Sequence, residues 1–530
     1  MTDSPRERMS LAWIWLLVSL AVLGGSALFV RAQRGRVDEP LRIVVAGSPW
    51  TFDPQRHGDE LTRSVLGHFY EPLVDFDPDL SLRPRLALAW GSPSDTEWRF
   101  QLREGVVFHD GRPFGAADVK ATLDRALRLL EGFVTESDIH AITEVRVVDE
   151  HTVVIVTNRP RPLLLARLTG ILILPRDTPD SELWQPVGTG PWVFAGGSTG
   201  PGGQPVQGRR FERYWGTKPS SFEFRIEAAP GEAERTKAAL AGADVVSPLP
   251  RSALDGSGNP LGAFRLVRRP TTTVSFLSCR VLQGFRGATS PFQDARVRRA
   301  ASLAIDREKL VRDALDGEGR ALWQLAPPGI VGFDPSIARG NTDLPAGRRL
   351  LAEAGFPEGF SSKLFVDTDR VRVAREIARQ LGEVGIRLEV EALPWDEVFR
   401  RMLFGLAPIA LSSSNIATGH VSSFYETFLH TAGPDSLFGA ENSSRYSDPE
   451  VDAMIEQAAE AVPPGVREEL LAAVRRKALE ELPYIPLYSP DQTYGVRTGI
   501  EFTPRLDRAV FAALKEQAAR KGIEFVAPGK

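Results

Sequence analysis

The chain has one cysteine, Cys279, among 530 residues, so an intramolecular disulfide framework is impossible. Flanked by Phe276, Leu277 and Val281, Cys279 reads as a small core hydrophobe. Neither sign of charge is in excess. The 64 Lys and Arg against 68 Asp and Glu leave a formal net charge of -4, and the basic residues are spread along the chain, which argues against a nucleic-acid or polyanion partner. The seven histidines, at 57, 68, 109, 140, 151, 420 and 430, form no HExxH, and a lone cysteine forms no CxxC, so no metal or cofactor site is expected. The one GxSxG match, GGSTG at 196 to 200, falls inside a glycine-rich stretch and not on a strand-to-helix elbow, and an enzyme reading has no local catalytic signature to start from. The glycine-rich GGSTGPGGQP, 196 to 205, lacks the Lys and Ser/Thr ending of a phosphate loop and reads as a surface excursion.

Long apolar runs are also scarce, with one exception. LAWIWLLVSLAVLGGSALFV, residues 11 to 30, carries no charge and follows Arg6 and Arg8, so it is either a long signal peptide or an uncleaved membrane anchor. The rest of the chain alternates strand and helix signals. LRIVVAG at 41 to 47 reads as a core strand, and VRVVDEHTVVIVTN at 145 to 158 as a hairpin around Asp149-Glu150. In WRFQLREGVVFHDGRPFGAADVKATLDRAL, 98 to 127, Gly105 and Gly111 punctuate two short strands before a helix. ARVRRAASLAIDREKLVRDAL, 295 to 315, carries a helical apolar face, and RVRVAREIARQLGEVGIRLEVEAL, 370 to 393, passes from helix to strand period. In SDPEVDAMIEQAAEA, 447 to 461, a capping candidate and Pro449 open a helix. Helices feeding strands predict an α/β layer. In ELPYIPLYSPDQTYGV, 481 to 496, the prolines hold the chain extended and the tyrosines are expected mostly in a core.

Five phrases occur in a particular order: EPLVDFD at 71 to 77; WRFQLREGVVFHDGRPFGAADV at 98 to 119; GTGPWVF at 188 to 194 with RRFERYWG at 209 to 216; PFQDARVRRAASLAIDREKLV at 291 to 311; and LPYIPLY at 482 to 488. Together with RRLLAEAGFPEGF at 348 to 360, this ordered set resembles the large solute-binding proteins of bacterial ABC importers, extracellular solute-binding protein family 5, which includes oligopeptide- and dipeptide-binding proteins. The resemblance covers roughly residues 41 to 510 and implies the periplasmic binding protein-like class II fold, two lobes on a hinge with an extra α+β subdomain. It places 41–56, 181–269 and 485–530 in the first lobe, 57–180 in the extra subdomain and 270–484 in the second lobe, with 1–40 as tail, signal or anchor and junction. His109-Asp110-Gly111 then falls in a structural signature, consistent with the turn chemistry of Asp-Gly.

The function implied is capture of a peptide-like or other small organic solute outside the cytoplasmic membrane and its delivery to an ABC permease. The alternatives are an anchored sensory or scaffold binding protein and, third, an enzyme. By resemblance, the loop after the first strand contributes Trp50 and Thr51 to the cleft; on their own these residues equally suit sealing the start of the lobe. In the second lobe, the aspartate with which peptide-binding relatives pair a terminal ammonium falls near Ala417, and Ser412, Ser413, Ser414 and Asn415 replace its surroundings. A desolvated ammonium needs a compensating charge. Either Asp367 or Asp369 supplies it, or the ligand has no buried free ammonium. Arg370 is a candidate for a ligand carboxylate, or else a solvent-facing residue at a helix start.

Overall fold

The computed structural model describes residues 39–511 except 57, 131–136, 283–289, 338 and 434–437. The apolar stretch 11–30 lies outside the described residues. Among those described, no helix is long and apolar enough to cross a membrane.

Leu41–Val45, with the β-branched Ile43, Val44 and Val45, forms a mostly buried strand, paired in parallel with Glu223–Ala228 on one side and Val245–Ser247 on the other. Val206–Arg210 and Trp192–Gly196 extend this half of the sheet antiparallel, joined by the glycine-rich loop. A second half is built on Thr273–Cys279, which pairs with Ile409–Asn415; beyond it Phe360–Asp367 and Ile386–Leu393 run parallel to one another. The halves are continuous through one long strand, Tyr484–Arg497. Its start pairs with Thr273–Cys279, Tyr488 opposite Ser275, and its end pairs with Phe264–Pro270, from Pro270 opposite Asp491 to Phe264 opposite Arg497. The chain therefore crosses between the halves twice side by side, at 270–273 and 488–491.

Each half has its own core. Leu41, Ile43, Phe69, Trp192, Phe224 and Tyr494 fill the first; Leu277, Val297, Ile377, Ile409 and Ile485 fill the second. A separate four-stranded antiparallel sheet, Ala87–Ser94, Glu97–Leu102, Thr152–Thr157 and Ile142–Asp149, packs Phe100, Val153 and Ile155 against Val119 and Leu123 of the helix Ala116–Leu130. At roughly 1.5–3 kcal/mol for each large apolar side chain removed from water, these cores hold the two halves and the smaller sheet together.

The hairpin around Asp149-Glu150 forms as expected. So does the helix-to-strand passage, as Val371–Gly382 followed by Ile386–Leu393, and Asp448 caps Pro449–Glu460. Two expectations need correction. The second short strand before residue 116 is only a single bridge, Val107 to Pro113. The face read through 295–315 is two helices, Ala295–Ala304 and Arg307–Ala314, because the Asp306 side chain accepts from Lys309 N–H and starts a new helix there. Tyr484, Tyr488 and Tyr494 are all buried, as expected of a core.

The recognisable phrases meet in space. The buried Glu71 carboxylate accepts from Thr189 Oγ1 at 2.9 Å, Tyr214 OH at 2.8 Å and Trp215 Nε1 at 2.8 Å, with Arg85 at 3.3 Å, so EPLVDFD, GTGPW and RYW form one knot. His109 joins it: Gly188 N–H donates to Nδ1 at 3.3 Å, leaving Nε2–H to donate to the Gly190 carbonyl at 2.9 Å. In the second half, buried Arg298 donates to the carbonyls of Phe292, Gln293 and Glu481, the residue before LPYIPLY, and Arg307 on the next helix donates to that of Pro486 within it.

Candidate functional site

Strand Ile409–Asn415 ends beside the crossing, with Asn415 opposite Thr273. Its burial falls from Ser412, which is enclosed, to Ser413, Ser414 and Asn415, which are half-buried. Asn415 is held by the neighbouring strand, its Oδ1 accepting from Thr272 Oγ1 at 2.6 Å. Its Nδ2 reaches the other half of the molecule and donates to Glu60 Oε2 at 2.9 Å. Glu60 opens the helix Glu60–Leu66, whose start is set by Asp59 accepting from Thr62 N–H. The contact thus joins residues 355 apart in sequence across the seam between the lobes.

The other oxygen of Glu60, Oε1, is shut off from solvent and has no hydrogen-bond partner. Burial raises its carboxyl to about 8, against the pull of Arg508, Arg63 and Arg505 and with the push of Asp507. Among the described residues no cation makes an ion pair with it: Arg505 lies 2.7 Å from Asp507, Arg63 is shared between Asp507 and Asp75, and Arg508 Nε donates to Gln492. Two further polar atoms in this seam are buried without a partner, the hydroxyls of Tyr494 and Thr273. Burial, then the Glu60 charge, raises the Tyr494 phenol above its ordinary range.

The remaining sequence candidates are placed differently. Asp367 accepts from the backbone N–H of Asp369 and Arg370, each at 3.1 Å, and from Arg370 Nε at 2.5 Å, so its carboxylate is occupied within its own turn. Asp369 is exposed at that turn and its charge is felt by Arg235 of the first lobe. Arg370 lies over the Trp395 ring at 5.7 Å, with Nη1 buried and unpartnered. Thr51 Oγ1 accepts from Asp53 N–H at 2.9 Å, a local turn bond. Trp50 is 72% exposed and lines a cavity of about 880 Å³ with Arg42, Glu227, Lys237 and Gly202, all from the first lobe. The structure thus brings Asn415, alone of the nine candidates, into a side-chain hydrogen bond across the seam. Glu60, Tyr494 and Asp507 were missed; GDEL reads only as a helix start, and no local pattern tells that Glu60 faces the opposite lobe.

Among the described residues no group of three or more His, Cys, Asp or Glu is placed to hold a metal. Cys279 is fully buried, and burial pushes its thiol up to about 12. The profile of the bacterial extracellular solute-binding proteins, family 5 middle region, matches residues 81–436. The chain belongs to this family. Family 5 proteins are non-catalytic binding proteins, and their two-lobe α/β fold is the one described above. A glutathione-binding protein, GsiB of Escherichia coli, is 28% identical over 477 residues, spanning 84% of this chain and 88% of that protein. Helicobacter pylori DppA, solved in complex with the peptide STSA, superposes with a TM-score of 0.76 at 22% identity over 89% of this chain and 97% of that one. A Pseudoalteromonas dipeptide-binding protein in complex with Met-Leu gives 0.78 at 20% identity, over 89% and 99%.

Proposed function

We propose that this family 5 protein is the extracytoplasmic solute-binding component of an ABC importer, taking a peptide-like solute between its lobes and handing it to a membrane permease. The observation that carries the reading is the polar seam at the paired crossings, where a second-lobe amide meets a first-lobe carboxylate. A ligand that touches both sides can do so only in the closed form, so binding and closure are one equilibrium. The crossings 270–273 and 488–491 serve as the hinge, because two adjacent strands can twist there without disturbing either core. The first lobe then comprises 41–70, because Val65, Leu66, Phe69 and Tyr70 pack in its core, with 181–269 and the chain after 490; 71–180 is largely the extra subdomain and 270–488 the second lobe. Similarity to a glutathione-binding protein favours a short peptide-like solute.

Small-angle scattering with and without a pool of short peptides, with occupancy read by native mass spectrometry, tests this. The expected outcome is a smaller radius of gyration in the occupied protein. Unchanged dimensions at demonstrated saturation would rule out lobe closure.

A further inference from the structure

We propose that Glu60, on the first lobe, is the group that takes the positive charge of the solute, binding a primary ammonium at its unpartnered oxygen. The inference rests on the peptide-like reading above and names the residue that makes it selective. A carboxylate enclosed between two lobes is costly unless a cation or several donors meet it. Glu60 has one donor, Asn415 Nδ2, on Oε2; Oε1 has none. The arginines around it are committed elsewhere, to Asp507, Asp75 and Gln492. The seam also holds the fully buried Tyr494 hydroxyl and the Thr273 hydroxyl, both without partners and both able to accept from an N–H donor. An ammonium carries three donors and a full charge, which matches an unpaired carboxylate oxygen with the Tyr494 phenol as its electrostatic neighbour. The amino terminus is the one cation that every unmodified peptide has. Asp367 is excluded from this task by its own turn and by Arg370.

The carboxyl is raised by burial first, with Arg508, Asp507, Arg63 and Arg505 as the charges facing it and Tyr494 as its titratable neighbour. This is the state of a site waiting for a counter-charge: it holds a proton near neutrality until an ammonium replaces it.

The test compares capture of a pool of lysine-free tetrapeptides with capture of the same pool after amino-terminal acetylation, on immobilised full-length protein, counted by mass spectrometry. Wild type should retain the free-amine pool at least tenfold over the acetylated one. Glu60→Gln, checked for folding by circular dichroism, should bring that ratio to about one. If the Gln variant does not fold, Glu60→Asp keeps the charge but draws it back, and should cut free-amine capture at least several-fold with acetylated capture unchanged. Equal capture of both pools by wild type would overturn the role of Glu60 and leave peptide binding standing. So would discrimination that survives in a folded Glu60→Gln, or that is lost in Asp367→Asn instead. Capture of neither pool would overturn the peptide reading and this inference with it.

Discussion

At the residue scale, the histidine singled out in VVFHDG is held neutral by its surroundings. Its ring bridges Gly188 and Gly190, and burial lowers its pKa to about 4. An unfolded histidine titrates near 6.5, so between pH 6.5 and 4 the unfolded chain binds the extra proton and stability falls as the pH falls. His68, buried against Phe224 and bonded to the Ser64 carbonyl, is lowered to about 4 as well and adds to the same window. Urea unfolding at pH 7 and pH 5 should show wild type losing stability on acidification. His109→Gln, less stable at pH 7, should lose roughly 1–2 kcal/mol less over that interval. An identical pH response in the variant would show that His109 is not a source of the acid sensitivity.

At the scale of elements, the phrases that make the family recognisable are fastenings between segments. Glu71 ties the strand-leading segment 71–77 to the turns at 189 and 214–215, and Arg298 and Arg307 tie two helices to the start of the crossing strand. A buried acceptor shared by several donors cannot be removed cheaply, because each donor is left desolvated. Glu71→Ala should therefore cost about 3–5 kcal/mol of stability. Chemical denaturation would register it as a lower midpoint, and a loss under about 1 kcal/mol would show that the knot is not cooperative. The backbone is equally committed where Gly359 meets Gly385: a Cβ on Gly359, at φ +74°, would lie 2.0 Å from the Gly385 carbonyl oxygen.

For the whole molecule, the proposed closure would be held by more than the Asn415–Glu60 seam. The extra subdomain is fastened to the first lobe by Glu71 and by the buried Arg125–Asp53 pair at 2.7 Å. It also reaches the second lobe, where Arg167 on Leu164–Leu168 meets Glu426 at 2.8 Å with both side chains buried, and Arg159 meets Glu460 at 2.8 Å on the surface. Opening the lobes must separate the buried pair, so it favours the closed form. Glu426→Gln removes the charge that Arg167 meets across the lobes and should shift the ligand-free protein towards open, with a larger radius of gyration and peptide affinity weakened about tenfold. The surface pair contributes little, and Glu460→Gln should leave both quantities nearly unchanged. Scattering that finds no difference between Glu426→Gln and wild type would show that the pair does not govern the opening.

The amino-acid sequence by itself determined the fold class, most helices and strands, the buried role of Cys279 and the structural role of His109-Asp110-Gly111. These depend on local period, capping and turn chemistry, or on phrases that are contiguous in the chain. It also marked the Ser412–Asn415 strand end as a place to look. The tertiary structure alone decided which acid faces Asn415. Asp367 and Asp369 stood near the right strand ends, but Asp367 is spent on Arg370 and its own turn, an outcome set by side-chain rotamers that no spacing encodes. Glu60 came from a helix start 355 residues away, brought to the seam because the chain crosses twice between its lobes. A binding site assembled from distant segments has no local signature, since its geometry is made by the packing of the cores and the sequence records only the packing.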